Sequence, residues 1–410
     1  MSKLAIFGGE PIRKKPFPIW PRATETEKIN LKKVIDSNGW GFFRTDLIKE
    51  FGEKFANYHG AKYGIPCSNA TAALQLQLMA LGIGRGDEVI TTIFTCVSTV
   101  TAITSVGAIP VFVDVQDSDY CINAGKIEEK ITSNTKAIMP VHLYGSICDL
   151  DELLRIAKKH KLSLIEDAAQ VPGSFYGNKG VGTIGISGSF SFQEGKVMTA
   201  AEGGIVITSN RELYELAQSY SNCGRTNEGD KARRVMGNNY RMTAFQAAIL
   251  LGQLDLLQDR TERRQENAEY LNEELSKIPH IETLKRNPKS TRQAYYIYVF
   301  KFKGEELGVT REAFASALEA EGIQIKKIFV PLYREPLLAF NAYDTPDTHE
   351  YYINHPLSKE DFSVAERAGM TEGLGIRQPI LLENKADMDD IVNAIEKVIT
   401  NIEQLKTIRK

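Results

Sequence analysis

Lys196 is the residue whose surroundings first suggest chemistry. It lies in GISGSFSFQEGKVMTAAEGG, residues 185–204, between two runs with core-strand character, 188–192 and 205–208. Gln193-Glu194-Gly195 makes a turn ahead of it, and Ala200-Ala201-Glu202-Gly203-Gly204 follows. A lysine held out of bulk water among small residues loses part of its preference for the ammonium form. The resulting free amine can attack a carbonyl carbon, as a Schiff-base lysine must. The same stretch also fits a lysine on a solvated loop, the usual fate of long charged side chains. Which reading holds depends on the groups that could act with it.

Two other stretches supply such groups. Asp167, in Glu166-Asp167-Ala168-Ala169-Gln170, comes directly after an apolar strand-like run at 162–166. Its carboxylate could cap the next helix, or it could pair with a cationic ring nitrogen. The second role keeps a pyridine ring an electron sink, which is the requirement of pyridoxal phosphate (PLP) chemistry. Cys67-Ser68-Asn69-Ala70-Thr71 opens an apolar helix that runs through Leu81 and stops at Gly82. Ser and Asn are N-cap residues, and the free N–H groups and dipole of a helix N-terminus attract phosphate. A plain cap without ligand fits the same residues.

The elements that must position these groups alternate. Strand patterns at 88–92, 110–115, 136–143 and 162–166 are interleaved with helical ones at 95–106, 123–131 and 149–160. That alternation predicts an α/β fold with a mostly parallel sheet, whose ligands bind at the carboxyl ends of strands. His142 and Tyr144 stand at one such end, and Asp167 and Gln170 at the next. Ahead of the sheet come an arm, 1–45, and a helix at 46–58 with apolar Leu47, Phe51 and Phe55, stopped at Gly60. After it, helical periodicity continues over 243–278. Strands at 294–302 and 322–329 and helices at 312–321 and 386–402 then predict a smaller α+β domain. We expect a division into 1–255 and 256–410, with Tyr295, Tyr296 and Arg377 as lid or substrate residues. The 333–352 segment reads as a loop near the site.

Composition removes several function classes. A chain of 410 residues exceeds a single ordinary core, consistent with two domains. A net charge of −2 gives no reason to expect nucleic acid or an anionic membrane as a partner, and no apolar run is long enough to span a bilayer. Five cysteines without a C-x-x-C pair, and six histidines without ligand spacing, argue against a metal site and fit a reducing, cytoplasmic setting.

Taken together, SNATAALQLQLMALGIGRGDEVI, KAIMPVHLYG, IEDAAQVPGS, SFSFQEGKVMTAAEGG and GNNYRMTAFQAAIL run in one order from about residue 65 to 255. In these motifs the chain resembles the PLP-dependent sugar aminotransferases of the DegT/DnrJ/EryC1/StrS family, within fold type I. The resemblance implies that Lys196 carries the cofactor and that Asp167 holds its pyridine nitrogen. It places Gln170 near the ring hydroxyl and Ser191, Ala70 and Thr71 at the phosphate. Asn239 would reach the phosphate of a neighbouring subunit, which implies a homodimer with shared active sites. Cys96 stands where the family usually has an aromatic residue stacked on the ring, with Phe94 as a possible substitute. The family's sugar dehydratases replace the lysine with histidine, so Lys196 favours transamination.

The F-x-x-G-K-x-M-T motif at 192–199 is most similar to the branch acting on cyclitol ketones such as scyllo-inosose and 2-deoxy-scyllo-inosose, in aminoglycoside biosynthesis. That branch uses glutamine, and for this chain the resemblance implies glutamine or glutamate as the amino donor. A 3-amino-5-hydroxybenzoate-synthase-like dehydratase and a nucleotide-ketosugar aminotransferase remain alternatives; a cofactor-free scaffold would need neither Lys196 nor Asp167. Neutral PVHLYG at 140–145 and QAYYIYV at 293–299 favour an uncharged polyol, whereas Lys326, Lys327, Arg334 and Arg377 suit a diphosphate.

Overall fold

A computed structural model describes residues 3–226, 233–335 and 346–407. Helices α1 (Glu25–Ser37) and α2 (Leu47–His59) lead into β1 (Tyr63–Cys67) and α3 (Ala70–Ala80). Next come β2 (Glu88–Thr92), α4 (Val97–Ser105), β3 (Ile109–Val113), β4 (Thr135–Ile138), α5 (Leu150–His160) and β5 (Ser163–Asp167). Short strands β6 (Phe175–Tyr176) and β7 (Lys179–Gly180) precede β8 (Ser187–Ser191), β9 (Gly204–Thr208), α6 (Arg211–Ser221) and α7 (Ala244–Leu254). Helix α8 (Leu257–Leu275) is followed by β10 (Ile281–Thr283), β11 (Ser290–Arg292), β12 (Ile297–Phe302), α9 (Arg311–Ala320) and β13 (Lys326–Lys327). The chain ends with α10 (Pro346–Asn354), α11 (Ser363–Arg367), β14 (Gly373–Arg377) and α12 (Lys385–Thr400).

The main sheet has seven strands in the order β1-β9-β8-β5-β4-β2-β3. Strand β9 pairs antiparallel with both neighbours, and the remaining pairs are parallel. All residues of β2, β3, β8 and β9 are buried, as expected of strands covered on both faces. Phe51 and Phe55 of α2 fix β8 from one side, with ring centroids 5.4 Å from Phe192 and 5.0 Å from Phe190. A second sheet, β10-β12-β14-β13, packs on α8, α9 and α12 around Phe302 and Phe314, whose rings stack at 3.9 Å. Leu4 and Phe17 of the N-terminal arm join this second core. Helix α8 links the two, with Leu257 in the first core and Ala268, Leu271 and Leu275 in the second.

Several expected elements differ. The helix expected over 123–131 is two 3-10 turns, Ala124–Lys126 and Glu128–Lys130, because Gly125 and the Asn123 cap favour a tight turn. The long helix over 243–278 is two helices that meet at Asp255 and Leu256; no glycine or proline marks the break, so the periodicity runs across it. The strand expected at 136–143 spans only β4, since Pro140 cannot continue the ladder. That expected at 322–329 shrinks to Lys326–Lys327. Within 333–352, residues 336–345 lie outside the described residues. Residues 333–334 close a 3-10 turn, Leu332–Arg334, and 346–352 enter α10, where Tyr352 donates to the Pro110 carbonyl and stacks on Phe112, against β3.

Candidate active site

The site forms where adjacent strands β5 and β8 end. Asp167 is the last residue of β5 and pairs in register with Ser189, two residues before Ser191 closes β8. The chain then turns through Gln193–Gly195 to bring Lys196 back over the strand ends. Gln193 holds the turn with its own side chain, accepting the Gly195 N–H at 2.9 Å. Thr199 locks the exit: its Oγ1 donates to the Phe192 carbonyl at 3.0 Å, and its N–H reaches Gln253 at 2.9 Å.

Lys196 is half-buried, and its Nζ lies 4.3 Å from the centroid of the Tyr296 ring. Burial lowers its pKa to about 8, against the opposing pull of Asp167 and then Cys96. The amine therefore exists in quantity near neutrality, as carbonyl attack requires. Asp167 is buried beside it. Its Oδ2 accepts from Thr99 Oγ1 at 2.9 Å and its Oδ1 from the Ala169 N–H at 3.2 Å. Burial raises the Asp167 pKa, and these two donors and the Lys196 charge only partly offset that. A buried carboxylate with no cation in hydrogen-bond contact among the described residues fits a protonated pyridine nitrogen.

The start of α3 offers a terminus that could take an anion. Asn69 caps the helix by accepting the Ala72 N–H at 2.8 Å, which leaves the N–H groups of Ala70 and Thr71 for an anion. Strand β9 presses on this terminus: a Cβ at Gly204 would stand 2.4 Å from the Asn69 carbonyl, so the close approach requires glycine. Gln170 is fixed because its Oε1 accepts the Tyr144 N–H at 2.7 Å, which leaves its amide nitrogen as the donor end. The lysine, the carboxylate, the amide and the helix terminus together fit PLP.

Other expected residues are placed differently. His142 is fully buried; its Nδ1 accepts the Cys148 N–H and its Nε2 faces Glu166 at 3.2 Å, contacts that support the sheet. Tyr144 is likewise buried, and its Oη accepts the Phe329 N–H at 2.8 Å. Cys96 caps α4 within electrostatic reach of Lys196 and Tyr296. Phe94 does not replace the missing aromatic: its ring is buried edge-on against Tyr120 and Tyr144. Asn239 is exposed, bridged to Asn222, close in sequence to Met236, which is 97% exposed. The adjoining Tyr240 carbonyl accepts the Ser68 N–H at 2.7 Å, so this segment runs beside the start of α3.

Three residues escaped the sequence reading. Trp20, from the arm, donates Nε1 to the Lys196 carbonyl at 3.0 Å. Arg264 of α8, fully buried, gives Nη2 to the Val197 carbonyl at 3.4 Å, and Nε and Nη2 to Gln378 Oε1 at 2.9 and 2.6 Å. Burial drives the Arg264 pKa down to about 9, with Arg260 and Arg22 adding to the effect. A signal for Arg264 was available: it occupies a core position of the stripe Leu257, Thr261, Arg264, Ala268, Leu271, Leu275. Trp20 and Gln378 had none. A cavity of about 470 Å³ reaches Gly195, next to Lys196, and is walled by Trp20, Gln193, Glu194, Tyr296, Lys326, Arg377 and Gln378.

The fold type I architecture and the relatives together make this a PLP-dependent aminotransferase. The chain belongs to the DegT/DnrJ/EryC1/StrS aminotransferase family, whose model matches residues 21–361. A Micromonospora echinospora protein provisionally named L-glutamine:3-amino-2,3-dideoxy-scyllo-inosose aminotransferase is 39% identical, covering 99% of both chains. GDP-perosamine synthase of Caulobacter vibrioides is 34% identical over 92% of this chain and 97% of its own. Among solved structures, that of 3-amino-5-hydroxybenzoic acid synthase superposes with a TM-score of 0.86 at 28% identity, covering 95% of this chain and all of that one.

Proposed function

We propose that this aminotransferase moves the amino group of glutamine or glutamate onto the ketone carbon of a cyclitol. The observation that carries the reading is the end-to-end likeness to a protein whose name gives an inosose as acceptor and L-glutamine as donor. The neutral hydrogen-bonding groups on the cavity wall, Trp20, Gln193, Tyr296 and Gln378, support a polyol. When bound, PLP supplies the electron sink that makes the donor Cα–H acidic. Lys196 Nζ, with its lowered pKa, would be the group that holds and moves that proton. Asp167, held by Thr99, keeps the ring nitrogen protonated. Ala70, Thr71 and Ser191 hold the phosphate, and Gln170 the ring hydroxyl.

The same reading includes a homodimer in which exposed Asn239 serves the partner's phosphate, a division of the chain at 255/256, and a cytoplasmic setting. Five free cysteines support the last. No described helix is long and apolar enough to cross a membrane. A nucleotide-linked ketosugar is the second reading, favoured by Lys326 and Arg377 on the cavity wall. Stopped-flow spectra of the holoenzyme separate the two. L-glutamine or L-glutamate should convert it to the pyridoxamine form, and scyllo-inosose should restore it faster than a nucleotide-linked 4-ketosugar. Faster restoration by the nucleotide sugar would exchange the two readings.

A further inference from the structure

The N-terminal arm reaches the reactive lysine from the second core. Glu321, just past α9 and fully buried, accepts the N–H groups of Ala5 and Ile12 at 2.9 and 3.1 Å. Arg13 gives Nη1 to Asp387 and Asp390 of α12 at 2.8 and 2.7 Å, and its guanidinium lies 3.9 Å from the centroid of the Phe17 ring. Arg22 pairs with Glu383, just ahead of α12. Between these ties, Phe17 to Trp20 wall the cavity, and Trp20 Nε1 donates to the Lys196 carbonyl at 3.0 Å. Arg260 and Arg264, one turn apart on α8, stand 5.6 and 5.7 Å from the centroid of the indole and fix it from a second side. Lys196 itself lies between β8 and β9, where no strand ladder holds its backbone. Its N–H donates to the Gln193 carbonyl at 2.9 Å, within its own turn. Its carbonyl is held from outside that turn, by the arm.

We propose that Trp20 is a positioning residue for Lys196, holding its peptide so that the amine stands at one place over the strand ends. This rests on the reading of Lys196 as the group that moves the proton, and goes further by naming what aims it. A lysine amine rides on a flexible four-carbon stem, so a turn of the peptide at its root is magnified at Nζ. Misplacing a reacting group by about 1 Å can cost about a hundredfold in rate. The indole N–H opposes that turn. It can do so because the arm behind it is bonded to Glu321, Asp387, Asp390 and Glu383. The N–H is engaged by backbone and offers nothing to a ligand. Its loss should therefore slow the chemical step and leave binding as it was.

The test mixes apoenzyme rapidly with PLP over a range of concentrations and follows covalent capture by absorbance. The half-saturating concentration reports the encounter, and the limiting rate reports attack of the amine on the aldehyde. Trp20→Phe should lower the limiting rate about tenfold, the upper worth of one neutral hydrogen bond, with the half-saturating concentration unchanged. Holoenzyme is then given the donor that serves, L-glutamine or L-glutamate, with hydrogen or deuterium on Cα. Conversion to the pyridoxamine form should slow by a similar factor, and the deuterium effect should grow because proton movement has become the slower step. If Trp20→Phe does not fold, 3-benzothienylalanine at position 20 makes the same comparison, since it keeps the ring shape and replaces N–H by sulfur. Unchanged limiting rates, a loss confined to the half-saturating concentrations, or slower conversion without a larger deuterium effect would each overturn the assignment. Lys196→Ala apoenzyme that captures PLP covalently as fast as the wild type would instead end the reading of Lys196 on which the proposal rests.

Discussion

Lys196 sits between two opposing effects. Burial lowers its pKa to about 8, while the Asp167 carboxylate favours the ammonium form and pulls it back up. The sign for a measurement follows. In apoenzyme the amine fraction grows as pH rises through about 8, so the rate of PLP capture should rise with an inflection there. Asp167→Asn removes the charge that stabilises the ammonium, and the inflection should move to lower pH. Rapid mixing of apoenzyme with PLP across pH 6–11 checks both. An inflection near the ordinary lysine value, or one unmoved in Asp167→Asn, would show that the two groups are not coupled as described.

At the scale of the element, β5 divides its work between its two faces. Successive side chains alternate, so Asp167 points to the site and Glu166 to the opposite face. Glu166 Oε1 accepts the N–H groups of Ile184 and Gly185 at 2.8 and 2.7 Å, and Oε2 that of Gly182 at 2.8 Å. This buried carboxylate therefore fixes the loop that feeds β8, and through β8 the position of Lys196. Glu166→Gln would turn an NH2 group against some of those donors. It should cost about 3 kcal/mol in urea unfolding followed by circular dichroism, the penalty for unsatisfied buried donors. A loss within the error of the measurement would mean that the loop is held by packing alone. The acidic pair was visible in the sequence, where the family motif singled out Asp167; strand register is what turns Glu166 to the other face.

For the whole molecule, the partner subunit is the central question. Trp40, Phe43 and Met236 are exposed on the same chain as Asn239, and apolar surface of that kind suits a second copy. If Asn239 serves the partner's phosphate, Lys196→Ala and Asn239→Ala proteins should complement each other when mixed. A mixed dimer puts both lesions in one site and leaves the other whole. Random reassortment should then restore about a quarter of wild-type activity in a twofold dimer. Verified subunit exchange without recovery would confine Asn239 to its own subunit.

The linear sequence determined the class of chemistry and the class of fold. Lys196, Asp167 and the capped start of α3 each carry a local reason for their role, namely small flanking residues, a strand end and an N-cap, and these are readable from neighbours in the chain. The α/β alternation is equally local. Elements whose limits depend on tertiary packing were not readable: the break between α7 and α8, the reduction of 322–329 to two residues, and the pairing of β1 with β9. The same holds for the groups around the lysine. Trp20 lies 176 residues from Lys196 in the chain, and Arg264 lies 114 from Gln378. No periodicity links residues so far apart. Packing the arm and α8 against the end of β8 alone decided that an indole and a buried guanidinium hold the backbone at Lys196 and Val197.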